Sequence, residues 1–214
     1  YATDASMYQE IPFGVSFPKT VEDIQELVKS AYTQNFTITA RGAGTSLAGQ
    51  TTGNGVIMDV SKHMTSLLEL NAEERYARAQ PGVIRDTLNR EAAPFDLLFG
   101  PDTSTTNRCM IGGMIGNNSS GSYSIKHKST REHVLEMDVV LSDGSLATFK
   151  VLTNDELDEK LKLESLEGHI YRSMINLASR NKEAIIANFP HAEIIRRNTG
   201  YALDKLCTMY PIDS

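Results

Sequence analysis

The chain has 214 residues, of which 40% are hydrophobic and 22% are charged, and its formal net charge is −6. This composition is that of an ordinary folded protein, and the length suits one large domain or two small ones. The acidic balance, with no Lys/Arg cluster, argues against a nucleic-acid partner. No apolar run approaches the roughly 18 residues of a transmembrane helix, and the N-terminus lacks the pattern of a signal peptide. We therefore expect a soluble, cytoplasmic protein.

The first part of the chain predicts a strand, a helix and a second strand. Residues 14–18 favour a short strand that ends at a proline, and Thr20 with Asp23 forms a helix-capping pattern. Apolar residues then recur at helical spacing up to Tyr32, whereas residues 36–40 alternate and are rich in β-branched side chains. A helix between two strands suits a parallel arrangement of those strands.

Later segments predict an α+β fold with two subdomains, residues 1–72 and residues 73–214. The first has a small, mostly parallel sheet, and the second has a larger, mainly antiparallel sheet with helices. Further strands are predicted over residues 56–60, 75–80, 134–141 and 145–151, and helices over residues 84–92 and 169–187. Ser142, Asp143 and Gly144 give a hairpin signal, and the acidic residues 154–160 are typical of a solvated face.

A glycine-rich segment, the first loop, covers residues 41–50 and reads Arg-Gly-Ala-Gly-Thr-Ser-Leu-Ala-Gly-Gln. Glycines placed directly after a strand let the backbone come close to a ligand, and their N–H groups can form an anion-binding nest. Arg41, Thr45 and Ser46 add further donors. This chemistry indicates binding of a phosphate or pyrophosphate.

A second segment rich in Gly, Asn, Ser and Thr, the second loop, covers residues 100–124. Long loops in compact domains are often functional. Gly112 and Gly113 permit close approach of a ligand, and residues 117–120 carry short hydrogen-bonding side chains. Two such loops about sixty residues apart favour one extended polar ligand bound between two subdomains.

Common phosphate motifs and metal motifs do not fit the chain. Leu47 stands where the dinucleotide fingerprint needs its last glycine, and Gln50 replaces the P-loop lysine. Both motifs must also open a helix, which the sequence after the first loop does not favour.

Cys109 and Cys207 form no Cys-x-x-Cys pair, and the five histidines show no metal spacing, so we expect no metal site and two buried free thiols.

The motifs together resemble the FAD-linked oxidases of the vanillyl-alcohol oxidase and p-cresol methylhydroxylase type, and most closely the glycolate oxidase and D-lactate dehydrogenase branch. The start of the chain is also similar to large members that carry an iron–sulfur domain. The resemblance runs in order along nearly the whole chain, through residues 1–6, 41–50, 80–83, 99–102, 111–115, 117–121, 133–136, 139–144 and 200–204.

The resemblance implies an FAD held across the two α+β subdomains. The first loop would wrap the pyrophosphate, residues from the second loop would line the flavin and ribityl side, and the backbone of Val134 would contact the adenine. The implied cofactor-binding residues are Arg41, Gly42, Ala43, Gly44, Thr45, Ser46, Gln50, Pro101, Asp102, Thr103, Gly112, Gly113, Asn117, Asn118, Ser119, Ser120, Gly121, Ser124 and Val134. Thr45 stands where members with covalent flavin carry His, so we expect non-covalent FAD.

The implied function is oxidation of a small 2-hydroxy acid, of the D-lactate or glycolate type, by hydride transfer to FAD. An acceptor domain or protein, such as an iron–sulfur domain outside this chain, would take the electrons and can bring the protein to a membrane surface. In the family a further flavin-site segment and a cap domain with the catalytic residues follow the Gly-Tyr-x-Leu-Asp stretch. We therefore expect an inactive, truncated flavin module with no catalytic residue of its own. A non-catalytic nucleotide-binding module is the alternative.

Overall fold

The computed structural model describes residues 1–191, 193–194 and 200–209. The chain divides into two compact units, one formed by Tyr1–Val134 with Ser142–Gly144 and the other by Leu135–Leu141 with Ser145–Ser214. Both units contain helices and small sheets, so the predicted α+β class is confirmed. The predicted boundary between residues 72 and 73, which concerns FAD-binding subdomains, stays a prediction.

The first unit begins with a parallel three-stranded sheet. Its elements are β1 (Gly14–Ser16), α1 (Val21–Gln34), β2 (Ile38–Arg41) and β3 (Val56–Asp59). The strand order is β1-β3-β2, and both neighbours pair in parallel with the central strand β3. Ile57 lies opposite Val15 on one side and Thr39 on the other, and it is 0% exposed. The strands, the helix and the parallel arrangement agree with the prediction.

Helix α1 starts and stops at residues that the sequence marks clearly. The Thr20 hydroxyl accepts the N–H of Asp23 at 3.2 Å, and the Asp23 carboxylate accepts the N–H of Thr20 at 3.1 Å. This reciprocal capping box satisfies N–H groups that the first turn leaves without intrahelical partners. The helix ends at Asn35, whose left-handed backbone (φ 56°) suits a helix terminus.

The rest of the first unit combines a hairpin with short helices. Its strands are β4 (Leu67–Asn71) and β5 (Tyr76–Ala79), and its α-helices are α2 (Arg85–Ala92), α3 (Ile111–Gly116) and α4 (Ser124–His127), with 3-10 turns at Ala93–Phe95 and Thr130–His133. Strands β4 and β5 pair antiparallel. Strand β4 was not predicted, because its leucines at 67, 68 and 70 do not alternate.

Helix α3 lies within residues 100–124, which the sequence predicted to be entirely loop. The glycines at 112, 113 and 116 have low helix propensity, which explains the wrong prediction. Hydrogen bonds to residues distant in sequence offset this low helix propensity at the first turn of α3. The N–H of Ile111 donates to the Val83 carbonyl and that of Gly112 to the Pro81 carbonyl, both at 2.9 Å.

The second unit pairs a hairpin with three helices. Strands β6 (Glu136–Val140) and β7 (Leu146–Lys150) are antiparallel, as predicted. The helices are α5 (Asn154–Lys162), α6 (Leu166–Asn188) and α7 (Leu203–Met209). Helix α5 carries the predicted acidic face, and Leu157 is buried on its other side. Helices α6 and α7 enclose a core of Ala178, Ile185 and Cys207.

Candidate functional site

The first loop leaves the carboxyl end of β2 in the first unit and leads into β3. Its conformation depends on Gly44, whose φ of +65° is unfavourable for residues with a Cβ. Gly49 is a second left-handed position in the same loop, with a φ of +76°. No helix follows the loop, since β3 begins at Val56. The expectation that this is neither a P-loop nor a dinucleotide fingerprint therefore agrees with the structure.

The first loop presents a run of backbone donors without acceptors. In the part of the chain that the structure describes, no acceptor receives the N–H of Gly42, Ala43, Gly44, Thr45 or Ser46. The Gly44 carbonyl, by contrast, accepts the N–H of Ala5 at 3.0 Å. Successive N–H groups without internal partners are the chemistry of an anion nest. The loop is therefore suited to the pyrophosphate expected from the sequence.

The Arg41 and Gln50 side chains hydrogen-bond within the loop region. Arg41 Nη1 donates to the carbonyls of Thr51 at 3.3 Å and Tyr1 at 3.5 Å, and its guanidinium lies 5.4 Å from the centre of the Tyr1 ring. Gln50 Oε1 accepts the N–H of Ala48 at 3.1 Å. Both side chains stabilise the loop, and their contacts with a cofactor stay predictions.

A buried carboxylate lies at the end of β3, which the sequence analysis did not single out. Asp59 Oδ2 accepts the Tyr1 hydroxyl at 2.7 Å, and Oδ1 accepts the Ser61 N–H at 2.7 Å. Burial opposes ionisation of Asp59, but these hydrogen bonds and the Arg41 charge outweigh it and hold its pKa below the usual value. The only feature of the sequence that could have pointed to Asp59 is its position as an acidic residue at the end of an apolar strand.

Asp102 closes the second loop. Its Oδ1 accepts the Tyr123 N–H and its Oδ2 accepts the Ser122 hydroxyl, both at 3.2 Å. A Cβ on Gly121 would collide with the Asp102 carbonyl, so glycine is needed there. The Pro101 carbonyl accepts Arg85 Nε at 3.1 Å. The Asp102 contacts hold the two ends of the second loop together, and the Arg85 contact ties its start to α2.

Other predicted residues of the second loop hold its local structure. Thr103 Oγ1 donates to Cys109 Sγ at 3.2 Å, and Asn117 Nδ2 donates to Ser119 Oγ at 3.2 Å. Cys109 is a buried free thiol, as is Cys207 in the second unit, in agreement with the sequence analysis. The Ser120 hydroxyl has no hydrogen-bond partner among the residues that the structure describes.

Residues 118–134 are held by hydrogen bonds between the backbone and both side chains and other backbone groups. Asn118 Oδ1 accepts the N–H of Arg131 at 2.9 Å, and the Ser119 carbonyl accepts both the N–H and the hydroxyl of the fully buried Thr130. Ser124 is buried and its N–H donates to Gly121. The Val134 N–H donates to Arg131 at 3.3 Å, while no described group donates to the Val134 carbonyl.

The two neighbouring glycines of α3 have different surroundings. A Cβ on Gly112 would lie 2.6 Å from Cβ of Pro81, so this glycine packs against the turn before α2. A Cβ on Gly113 would meet nothing within 4 Å, and the Gly113 N–H has no acceptor in the described chain. Of this predicted pair, Gly113 is therefore the position open to a ligand.

The first and second loops meet inside the first unit. A Cβ on Gly42 would lie 3.2 Å from Sδ of Met110, the residue that precedes α3. Met110 in turn bridges to Ile84. The free N–H groups of the first loop and the open side of α3 thus belong to adjoining segments, as a single extended ligand would require.

Solved structures define the class of this fold. The 6-hydroxy-D-nicotine oxidase of Arthrobacter nicotinovorans matches with a TM-score of 0.62 at 21% identity, covering 73% of this chain and 34% of that protein. An alkyldihydroxyacetonephosphate synthase matches with a TM-score of 0.56 at 19% identity, covering 65% of this chain and 26% of its own. The fold is that of the p-cresol methylhydroxylase type.

Residues 12–150 match the family described as FAD binding domain, and the chain belongs to this family. The predicted resemblance and the predicted cofactor, FAD, are thereby confirmed. The unpaired N–H groups of the first loop and the open side of Gly113 fit an FAD pyrophosphate and its neighbouring groups. An iron–sulfur domain in a longer protein stays a prediction.

Named relatives cover almost the whole chain. D-2-hydroxyglutarate dehydrogenase of Haemophilus influenzae is 39% identical over 208 residues, which are 94% of this chain and 20% of that protein. The Escherichia coli enzyme of the same name is 35% identical over 205 residues, with the same two shares. The glycolate oxidase subunit GlcD of Bacillus subtilis is 34% identical over 68% of this chain and 32% of its own length. The chain thus spans about a fifth of the D-2-hydroxyglutarate dehydrogenases that it matches.

Two further properties concern metals and membranes. Within the described residues, no three His, Cys, Asp or Glu side chains gather as they would around a metal ion. None of the helices in that part of the chain combines the length and apolar character needed to cross a bilayer. Cytoplasmic location and contact with a membrane through an electron acceptor stay predictions.

Proposed function

We propose that this chain is the FAD-binding part of a flavoprotein that oxidises a D-2-hydroxy acid, with D-2-hydroxyglutarate as the favoured substrate. The observation that carries the proposal is the similarity to D-2-hydroxyglutarate dehydrogenases over 94% of the chain. The similarity to glycolate oxidase subunits covers a smaller part, 68% for the Bacillus subtilis protein. A longer dicarboxylic 2-hydroxy acid is therefore favoured over the glycolate or D-lactate expected from the sequence.

The first loop would hold the pyrophosphate of FAD. The free N–H groups of residues 42–46 are preorganised donors, and donors that need no rearrangement favour binding of an anion. The side chains of Thr45 and Ser46 can add hydroxyl donors. Arg41 would contribute positive charge from within the loop, since its guanidinium is already held by two carbonyl groups.

The second loop would line the remaining length of the cofactor. Gly113 offers an open N–H and space beside it, and the half-buried Ser120 offers a hydroxyl. Asp102, Gly112 and Gly121 would act by shaping the backbone rather than by donating side chains. The other predicted second-loop contacts are those of Pro101, Thr103, Asn117, Asn118, Ser119 and Ser124. Outside this loop, the backbone of Val134 is the remaining predicted contact.

The proposed reaction removes a hydride from the α-carbon and a proton from the hydroxyl group of the substrate, which leaves a 2-oxo group. Bound FAD supplies a two-electron acceptor for the hydride from the substrate α-carbon, which is chemistry that protein side chains do not provide. This chain would contribute binding and orientation of that cofactor. An acceptor domain or protein would then remove the electrons.

The test is a visible absorption spectrum of the protein after addition of FAD and desalting, for this chain and for the protein expressed from its whole gene. We expect the whole protein to retain FAD and to lose its flavin absorption on anaerobic addition of D-2-hydroxyglutarate. The L-isomer serves as the matched control and should leave the spectrum unchanged. Retained flavin that no 2-hydroxy acid reduces would indicate a non-catalytic binding module. Flavin retained by neither protein would refute the proposal.

A further inference from the structure

The N-terminal segment, residues 1–8, lies across the first loop. The Ala5 N–H donates to the Gly44 carbonyl at 3.0 Å, and Asp4 Oδ2 accepts the Thr51 hydroxyl at 3.2 Å. The Tyr8 ring packs on Gly49, where an added Cβ would lie 3.0 Å from Cδ2 of the ring. The segment therefore contacts both left-handed glycines of the loop and the residue directly after it.

The same segment is held as a small folded element. Thr3 and Gln9 form an antiparallel bridge, and the N–H of Glu10 donates to the Ala2 carbonyl at 2.9 Å. Asp4 Oδ1 accepts the N–H of Ser6 at 2.8 Å. A segment that folds back on itself loses less conformational entropy on contact than an extended segment would. Residues 1–8 are thus suited to hold the first loop in place.

Tyr1 connects this segment to the sheet beneath the loop. Its hydroxyl donates to the buried Asp59 carboxylate at 2.7 Å, its carbonyl accepts Arg41 Nη1, and its ring lies beside the Arg41 guanidinium. Burial of the Tyr1 hydroxyl and its hydrogen bond to Asp59 raise the pKa of Tyr1. Tyr1 therefore contacts both the residue that begins the loop and the strand that follows it.

We propose that residues 1–8 form a clamp that holds the first loop in the conformation that binds the FAD pyrophosphate. This inference rests on the proposed FAD site. A loop of residues 41–50 with three glycines has many alternative conformations, and the N–H groups of residues 42–46 do not hold it together. The apparent affinity of a ligand falls with the fraction of protein in the competent conformation. Tyr1 and Asp4 are accordingly positioning residues.

The first experiment measures the FAD dissociation constant by flavin fluorescence for the protein expressed from its whole gene and for two variants. Tyr1→Phe removes the bond to Asp59, and Asp4→Ala removes the bonds to Ser6 and Thr51. We expect each to weaken FAD binding by about tenfold, because the competent fraction falls. Tyr32→Phe is the matched control, since Tyr32 is 80% exposed on α1 and should not change the affinity.

The second experiment measures the mobility of the first loop in the absence of the cofactor. In FAD-free protein, NMR order parameters of the Gly42, Gly44 and Gly49 N–H groups should be about 0.85 in the parent and below about 0.6 in the variants. A role in overall stability alone would lower the melting temperature without lowering these values selectively. Thr51→Val, which removes only the hydroxyl that Asp4 accepts, repeats the test if either first variant fails to fold.

The outcomes separate the clamp from the FAD site itself. If the parent binds FAD and the variants match it within about twofold, with unchanged order parameters, the clamp is refuted. If the parent does not bind FAD, the proposed function fails. Order parameters that still fall in the variants would then support a clamp on the loop and refute its link to FAD.

Discussion

The Arg41 guanidinium lies against the Cα of Gly44, three residues later in the same loop. A Cβ on Gly44 would stand 2.5 Å from Arg41 Nη2 and 2.9 Å from Cζ. Gly44 also has a φ of +65°, so a side chain there is disfavoured by its own backbone and by its neighbour. The loop thus requires a glycine where it turns around the arginine.

Gly44→Val should abolish FAD binding while leaving a folded protein. The added side chain must displace the Arg41 guanidinium or change the backbone at residue 44, and either change moves the free N–H groups. The measurement is the flavin absorption retained after desalting, with circular dichroism to confirm folding.

Gly14→Val is the matched control for this change. Gly14 begins β1, and a Cβ there would meet nothing within 4 Å. Valine is favourable in strands, so we expect normal folding and normal flavin retention. A Gly44→Val protein that keeps as much FAD as the parent would show that the first loop does not hold the cofactor.

The paired glycines of α3 give opposite predictions. Gly112→Ala should lower the free energy of unfolding by about 1–3 kcal/mol, because its Cβ would crowd Pro81 at 2.6 Å. Gly113→Ala should fold at least as well as the parent, since alanine favours helices and the site is open. If its open side faces FAD, the methyl group should weaken FAD binding about tenfold.

Gly116→Ala is the matched control for Gly113→Ala, because it adds a methyl group to the same helix at a position that is not predicted to contact FAD. Gly116 lies in the same helix, and its Cβ would also meet nothing within 4 Å. We expect it to leave FAD affinity unchanged. Urea unfolding and flavin titration of the three variants test both halves of the prediction. Equal FAD affinity for Gly113→Ala and Gly116→Ala would remove Gly113 from the cofactor site.

Much of the fold follows from local patterns in the sequence. The capping box of Thr20 and Asp23, the alternation around Ile38 and the turn at Gly144 all act over a few residues, so each predicts its element correctly. Helix α3 escaped prediction because its first turn is stabilised by Val83 and Pro81, which lie far from it in sequence.

The sequence predicts the parts of the candidate site that glycine motifs form. It does not predict the contacts between residues that lie far apart in the chain. The first loop stands out because of its glycine spacing after a strand. Nothing in the sequence pairs Tyr1 with Asp59, since 58 positions separate them and neither lies in a glycine motif. The different surroundings of Gly112 and Gly113 also depend on where Pro81 lies, which the sequence does not state.

Ile57→Ala should destabilise the sheet that carries the first loop. Ile57 lies in the central strand β3 and is fully buried, so truncation leaves a cavity. The expected loss in the free energy of unfolding is about 2–5 kcal/mol, measured by urea denaturation. Ile11→Ala, at a site that is 78% exposed, is the matched control and should change stability by less than about 0.5 kcal/mol. Similar losses at both positions would argue against a core at β3.

Stability in acid should depend on Asp59. Its pKa is lowered in the folded protein, because hydrogen bonds from Ser61 and Tyr1 and the charge of Arg41 outweigh the opposing effect of burial. A lowered folded pKa means that the stabilisation is complete above the ordinary value of about 3.9 and is lost as the pH falls through the folded value. Asp59→Asn should therefore be about 1–3 kcal/mol less stable than the parent near pH 6, because it loses hydrogen bonds to a charged acceptor.

The difference between parent and Asp59→Asn should shrink as the pH falls below about 3.9 and through the lowered folded pKa of Asp59, since protonation there removes the charge from the parent as well. Urea unfolding of both proteins over this range measures it. Asp4 and Glu132 also have lowered pKa values, but both proteins contain them, so the difference isolates Asp59. A gap that stays constant with pH would mean that the Asp59 carboxylate contributes through shape and not through its ionised hydrogen bonds to Tyr1 and Ser61.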